Sequence, residues 1–323
     1  MDAKITKKRL GIMLSYDWIK IIAVCAAAVV LWALIFQMTA TRPTMGQEMG
    51  VYVYPGTALT DKVGNFDSLK KKGALSYDVL TYGVNSYARR NDAATVLAAH
   101  IPAGSADIMF SCDTDTYNDK GELKEASGLK TFLASYHGAC VWLGEAGATV
   151  AGYTYSSNYF LDCENYLKRF FGEDFAASPL NESAAESHFR TRMKKDKRFK
   201  TEKQIAEGAE QEFARLNRLR GDYIKLKNWL ADGTVGLRTV EIPTGKKDES
   251  GKEETVKLTQ AFDLSNVPNI TYALNNRDKE GKGEAVCMSV IQTGSAGEED
   301  RRFEPITYLV YIVDLCIENV VAA

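Results

Sequence analysis

Three hydrophobic patterns follow one another along the chain. The first is unbroken: Ile21–Met38 reads IIAVCAAAVVLWALIFQM, with Gln37 its one strongly polar residue. With Trp18, Ile19 and Lys20 this makes about 20 residues, roughly 30 Å of helix, the thickness of a bilayer's hydrocarbon core. Trp18 stands where an interfacial aromatic belongs, and Lys20 can snorkel. Lys4, Lys7, Lys8, Arg9 and Lys20 lie before the span, and Arg42 follows it. The positive-inside rule then predicts a cytoplasmic tail over 1–20, a transmembrane helix over 21–38 and an extracellular remainder. A cleaved signal peptide fits less well, because the charged leader is long and Met38-Thr39-Ala40 is a poor cleavage site. Lipid attachment at Cys25 fits less well still, with Lys20 interrupting the short apolar stretch upstream. One span excludes a channel or carrier built from this chain alone.

The second pattern is short apolar runs broken by turns. Residues 39–50 read as a linker. Val51–Tyr54 predicts a strand stopped by Pro55-Gly56, and Tyr77–Val84 a second. Asp92–Ile101 predicts a helix capped by Asn91 or Asp92, with Pro102 beyond it. Ala106–Phe110 predicts a strand buried on both faces. Strands alternating with connecting segments predict an α/β layer with a parallel sheet. Residues 129–155 stay ambiguous: Val141–Leu143 and Thr149–Tyr155 are strand candidates among helix-breaking glycines. The α/β lobe is placed at 51–155.

The third pattern has helical period. Ser157 is read as the cap of a helix ending at Gly172, its stripe of Tyr159, Phe160, Cys163, Tyr166, Leu167, Phe170 and Phe171 read as core. Glu182–Lys200 predicts another helix. Thr201 and Gln204 form a capping-box pair. They open a long helix with Ile205, Ala209, Phe213, Leu216, Leu219, Tyr223, Leu226 and Leu230 on one face, ended by Asp232-Gly233. Residues 156–233 are thus expected as a helical arm, and 234–323 as a returning α/β segment. In that segment Val235–Ile242 and Glu253–Leu258 predict a hairpin, Phe262-Asp263-Leu264 a further short strand, Ala285–Ile291 a buried strand and Ile306–Val320 a closing helix. Gly294–Arg302 reads as a polar loop.

Composition narrows the function classes. The 323 residues are 45% apolar and 25% charged, with a net charge of −2. Removing the first 38 residues removes five basic and two acidic groups, leaving 35 Lys and Arg against 40 Asp and Glu. That balance argues against a nucleic-acid binder and against simple adhesion to anionic lipid. Beyond Cys25 lie Cys112, Cys140, Cys163, Cys287 and Cys316, an odd number, so at least one thiol is unpaired or pairs between chains. They read mainly as small buried side chains, with one disulfide left open.

No complete catalytic or cofactor signature is present. Gly245–Lys252 fails as a phosphate loop, because Glu253 stands where Ser or Thr must bind magnesium. Asp113, Asp115, Asp119 and Glu122 form the best oxygen-ligand cluster, but Lys120 breaks the EF-hand register. The run Arg190, Arg192, Lys194, Lys195, Lys197, Arg198 and Lys200 reads first as a solvated helix face, and otherwise as a contact for phosphate headgroups or an acidic partner. Ligands of open α/β sheets bind beyond the strands' carboxyl ends. A cleft there would be lined by Tyr54, Asn85, Cys112, Asp113, Asp115 and Tyr117. Aromatic faces beside carboxylates suit a sugar or another polar solute; the alternative is that these are turn residues.

The order VYVYPG, YDVLTYG, NDAATVLAAHIPAG, ADIMFSCD resembles the N-terminal lobe of extracellular solute-binding proteins of sugar ABC transporters, a type 2 periplasmic-binding-like fold. The likeness covers about 60 residues, Ala93–Phe110 most of all. Phe189–Gly208 is similar to uncharacterised single-span membrane proteins of Gram-positive gut bacteria. The first resemblance implies lobes that close on a small polar solute and a transporter permease as partner. That family has two lobes and is usually longer. The expectation is a membrane-tethered solute-binding-like protein or transporter accessory subunit, without cofactor and not an enzyme. The alternative is a scaffold that binds a membrane partner through its helical arm; a glycan hydrolase ranks third.

Overall fold

The computed structural model describes residues 11, 18–39, 43, 45–150, 152–247, 250–251, 253–276, 283–292 and 301–320. Two compact units divide the chain, Met1–Arg42 and Pro43–Ala323. In the first, α1 (Trp18–Thr39) contains the 20-residue stretch Trp18–Gln37, long and apolar enough to cross a membrane. Its large apolar side chains, Trp32 and Phe36 among them, are exposed. Such a surface is stable in lipid and costly in water. Most of the basic flank that set the expected orientation lies outside the described residues.

The second unit runs β1 (Glu48–Val53), β2 (Thr57–Leu59), α2 (Asp61–Gly64), α3 (Phe66–Lys71), β3 (Thr81–Ser86), α4 (Arg90–His100), β4 (Ile108–Cys112), β5 (Thr116–Tyr117), β6 (Leu123–Glu125) and α5 (Gly128–Tyr136). There follow β7 (Thr149–Val150), β8 (Tyr153–Thr154), α6 (Tyr159–Phe171), α7 (Glu182–Arg192), α8 (Glu202–Asp232), β9 (Gly236–Lys247), β10 (Glu253–Asp263), β11 (Leu274–Asn276), β12 (Val286–Val290) and α9 (Glu304–Glu318). Six strands form one mixed sheet in the order β3-β1-β4-β12-β10-β9. β1 pairs in parallel with β3 and β4, so the expected parallel sheet is present as one half. β12 runs antiparallel to β4 and to β10, and β9 antiparallel to β10. Pro243 sits on β9, an edge strand, the place in a sheet where proline is tolerated.

Alternation along the strands builds two cores. Met49, Val51, Ile108, Phe110, Val286, Met288 and Val290 join one cluster with α6, α8 and α9. Tyr52, Tyr54, Met109, Cys287 and Ile291 join the other with α4 and α5. The result is helix, sheet, helix, the usual solution for strands apolar on both faces.

Several boundaries differ from expectation for physical reasons. Tyr77 and Asp78 do not start β3, because both turn into the helical layer: Tyr77 donates to Glu212, and Asp78 accepts from Arg192 and Arg198. The Glu182–Lys200 helix stops at Arg192, followed by a short 3-10 turn, Met193–Lys195. There Asp196 accepts from the backbone N–H and guanidinium of Arg198, pulling the chain out of helical register. The cap of α6 is Asn158 rather than Ser157. Phe262 and Asp263 continue β10 rather than forming a separate strand. Both bonds of the Thr201–Gln204 capping box are made. The 156–233 stretch lies on the sheet, with Leu216, Leu219, Tyr223 and Leu226 inside the larger core. All six cysteines are free thiols, and the five beyond α1 are buried. The polar loop expected over Gly294–Arg302 lies almost wholly outside the described residues.

Candidate functional site

Parallel pairing places the carboxyl ends of β1, β3 and β4 at one edge of the sheet. Tyr54 ends β1 with only 3% of its surface exposed. The first residue of α5 closes over it: a Cβ on Gly128 would stand 2.9 Å from Tyr54 Cδ1. Burial pushes the Tyr54 hydroxyl's pKa up. Cys112 is also buried, its Sγ 3.1 Å from Thr57 Oγ1. Asp113 accepts from Ser127 Oγ at 2.8 Å, and Asp115 accepts from Ser127 N at 2.8 Å and from Lys130. Ser127 in turn caps α5 by accepting from Lys130 N. Burial works to raise the Asp115 pKa, but the bonds from Lys130 and Ser127 outweigh it and hold the carboxyl below the usual range. These two aspartates therefore fasten a helix start. Asn85 is half-buried near the end of β3, and Tyr117 is exposed on β5. The structure thus brings Asp113 and Asp115 together but does not converge all six residues. The cavity at this edge, about 520 Å³, is lined instead by Pro55, Gly56, Arg89, Arg90, Thr116 and Glu125 among others.

A cavity with converging aromatic and polar groups lies at the opposite edge. Val290, the last residue of β12, pairs with Ile108, the first of β4. Gln292, two residues on, therefore sits at the amino ends of the parallel strands. It lines a space of about 430 Å³ with His137, Trp142, Tyr153, Tyr155, Asn158, Asp162 and Arg302. That volume lies within the usual range for small-molecule sites.

Local chemistry explains how those residues meet. Cys140 bridges Ile291, Val141 N donates to Val290 O, and Leu143 N donates to Thr259 O. These bonds lay 140–143 along the sheet and fix Trp142. Gly144 must be small, because a Cβ there would stand 2.4 Å from the Trp142 indole. The β7–β8 hairpin then folds Tyr155 onto Trp142, ring centroids 4.4 Å apart and planes 16° from parallel. Tyr153 meets Tyr155 edge-on at 4.8 Å. Asn158 caps α6 and also donates to Gly144 O. Asp162, one turn into α6, accepts from Ser157 Oγ and from Arg302, both at 2.5 Å. Tyr159 donates to the Arg302 carbonyl at 2.6 Å, locking that residue to α6.

The sequence reading missed this site because Trp142, Tyr155 and Arg302 come from segments that periodicity leaves unassigned. A signal does exist: Tyr153 and Tyr155 are two apart, on one side of an extended segment, between glycines and Ser156-Ser157.

Within the basic run Arg192 and Arg198 turn inward, while Arg190, Lys194, Lys197 and Lys200 are exposed, as a solvated face should be. Arg192 donates to Asp78, Tyr77 and Glu212, and Arg198 to Asp78 and Asp196. Arg215 makes two bonds to Glu212 and one to Tyr166. Burial would raise the Glu212 pKa, but Arg215 and Arg192 overcome it and hold it at about 2. Among the described residues no group of three or more His, Cys, Asp or Glu side chains is arranged to hold a metal ion. Comparison with protein-family models, with curated proteins and with solved structures finds no match to this chain.

Proposed function

We propose that this chain is a membrane-tethered binding module that faces outward and takes a small polar solute, a sugar, in the Trp142–Tyr155 cavity. The stacked aromatic wall carries the reading. A sugar ring has an apolar C–H face that packs on an aromatic plane, and hydroxyls that need donors and acceptors in fixed places. Tyr153 and Tyr155 offer the first. Asn158, Asp162, Gln292 and Arg302 line the same cavity and offer the second. Burying several hydroxyls without partners would cost about 1–3 kcal/mol each, so such a set of polar groups selects for a polyol.

Binding is favoured over hydrolysis by the charge count. Glycoside hydrolysis canonically uses two carboxyl groups flanking the scissile bond. Among the described residues lining this cavity Asp162 is the single acid, and Arg302 and Ser157 already hold it. The outward orientation rests on the positive-inside rule, and a permease partner on the resemblance of residues 51–113 to solute-binding proteins.

The test is calorimetric titration of the full chain in nanodiscs with a panel of mono- and disaccharides, with tryptophan fluorescence followed in parallel. Saturable binding that changes the Trp142 signal is expected. Binding that survives unchanged in Tyr155→Ala would remove the site from this cavity.

A further inference from the structure

The two edges of the mixed sheet are built differently. β9 is guarded in the ways that keep an edge from pairing with a foreign strand. It carries Pro243, the charged Arg238, Glu241, Lys246 and Lys247, and breaks in its register with β10. β3, at the other edge, has none of these. Thr81–Ser86 reads TYGVNS, without a charge or a proline, and every residue in it is exposed or half-buried. A Cβ on Gly83 would meet nothing within 4 Å.

The backbone bonds show which groups of β3 are unmet. Gly50 O accepts from Asp107 N, and Tyr54 N donates to Phe110 O, so these residues of β1 face β4. Val51 and Val53, alternating with them, face β3, and Tyr87 N donates to Val53 O. On β3 this turns the N–H and C=O groups of Gly83 and Asn85 toward β1, and those of Tyr82, Val84 and Ser86 outward. Among the described residues none of these outward groups has a hydrogen-bond partner, and no strand lies beyond β3. Such a row is a template for a further strand.

We propose that β3 is a self-pairing edge, through which two copies of this chain join antiparallel about a two-fold axis at Val84, so that their sheets run on as one. An axis perpendicular to the sheet keeps each face of one copy continuous with the same face of the other. In this register Val84 pairs with Val84 and Tyr82 with Ser86, and every outward N–H meets an outward C=O. On the other face Gly83 lies opposite Asn85, and Thr81 opposite Tyr87, a β-branched residue against an aromatic, which is a favourable cross-strand pair. No charge on the strand faces its own copy. This match selects a second copy over an unrelated strand: what the edge presents is what it accepts, the condition for an isologous contact. The proposal is independent of the sugar-binding reading.

The experiment reconstitutes the full chain in zwitterionic-lipid vesicles from two populations, labelled with donor and acceptor dyes at the amino terminus, and follows energy transfer as lipid is added. Saturable transfer that falls on dilution is expected. Gly83→Lys sets like charges beside the axis at a position with open space, and should weaken association about tenfold or more. Leu237→Lys, the same change on β9, should leave it as it was, and thermal midpoints verify that both variants fold. In a second test, copies carrying Gly83→Cys are mixed with copies carrying Asn85→Cys, both in a Cys25→Ser background. Opposite residues of a non-hydrogen-bonded pair have Cα atoms about 4.5 Å apart, within disulfide reach. Oxidation should link the two kinds of copy, and should not link Leu237→Cys to Asn85→Cys. Transfer absent at every density, transfer that persists in Gly83→Lys, equal loss in Leu237→Lys, or no link between positions 83 and 85 each overturns the proposal.

Discussion

Tyr155 lies on Trp142 with ring centroids 4.4 Å apart, whereas Tyr54, the aromatic at the carboxyl end of β1, is 3% exposed beneath α5. The two tyrosines should therefore respond in opposite ways. Tyr155→Ala is expected to weaken sugar binding about tenfold or more. It should cost about 0.5–1.5 kcal/mol of stability beyond the lost area, the worth of one aromatic pair. Tyr54→Ala should cost about 3–5 kcal/mol, as for other buried large-to-small changes, with little change in affinity for the protein that remains folded. Paired titrations and thermal melts check this. Loss of affinity in Tyr54→Ala alone would move the site to the other edge.

Asp113 and Asp115 gather round Ser127 at the start of α5. Asp115→Ala is expected to lower stability by about 1 kcal/mol, the usual net worth of a hydrogen bond such as the one it accepts from Ser127 N, and to leave sugar affinity unaltered. Urea midpoints and titrations of the same preparation decide it. A large affinity loss with an unchanged midpoint would mean that the carboxylate touches ligand.

Glu212 sits between Arg215 and Arg192, and its pKa falls from 4.5 to about 2 despite burial. A depressed carboxyl stabilises the fold above its unfolded pKa. That contribution is complete above about pH 4.5 and fades as the pH drops toward 2. Asp222 has the opposite sign. Burial raises its pKa from 3.8 to about 6, even against Arg218. Its contribution is present below the unfolded value and lost as the pH rises through 6. Glu212→Gln is therefore expected to cost about 3–5 kcal/mol at pH 7, because it strands buried guanidinium groups. Asp222→Asn should be at least as stable as the parent at pH 7, with the difference closing near pH 4. Denaturant curves across that range test both signs.

Gly50 occupies the middle of β1, and a Cβ there would stand 2.0 Å from the carbonyl oxygen of Ser105. That oxygen is backbone, fixed because Asp107 N donates to Gly50 O and Gly50 N donates to the Asp107 carboxylate. Gly50→Ala is expected to destabilise by about 1–3 kcal/mol, read from the thermal midpoint. A neutral result would mean that the 105–107 connection yields more readily than these bonds imply.

Local rules were enough wherever a pattern was long or chemically unambiguous. The apolar run to Met38, the Thr201–Gln204 box opening α8, the buried strand ending in Val290 and the closing helix α9 were all legible from spacing alone. So was the α/β alternation over the first strands, clearest at β4, which is buried throughout and reads as a nearly unbroken apolar run. Sequence could not say that Arg192 and Arg198 turn inward. A run of cations looks the same whether it meets water or Asp78, and Asp78 lies more than a hundred residues away. Nor could it say which end of the sheet holds the converging groups. Trp142, Tyr155, Asp162 and Arg302 belong to a sheet-edge segment, a two-rung hairpin, a helix and a turn, none with a period linking it to the others. Periodicity reports the face a residue buries on its own element; the meeting of faces from distant elements is decided only when the chain packs.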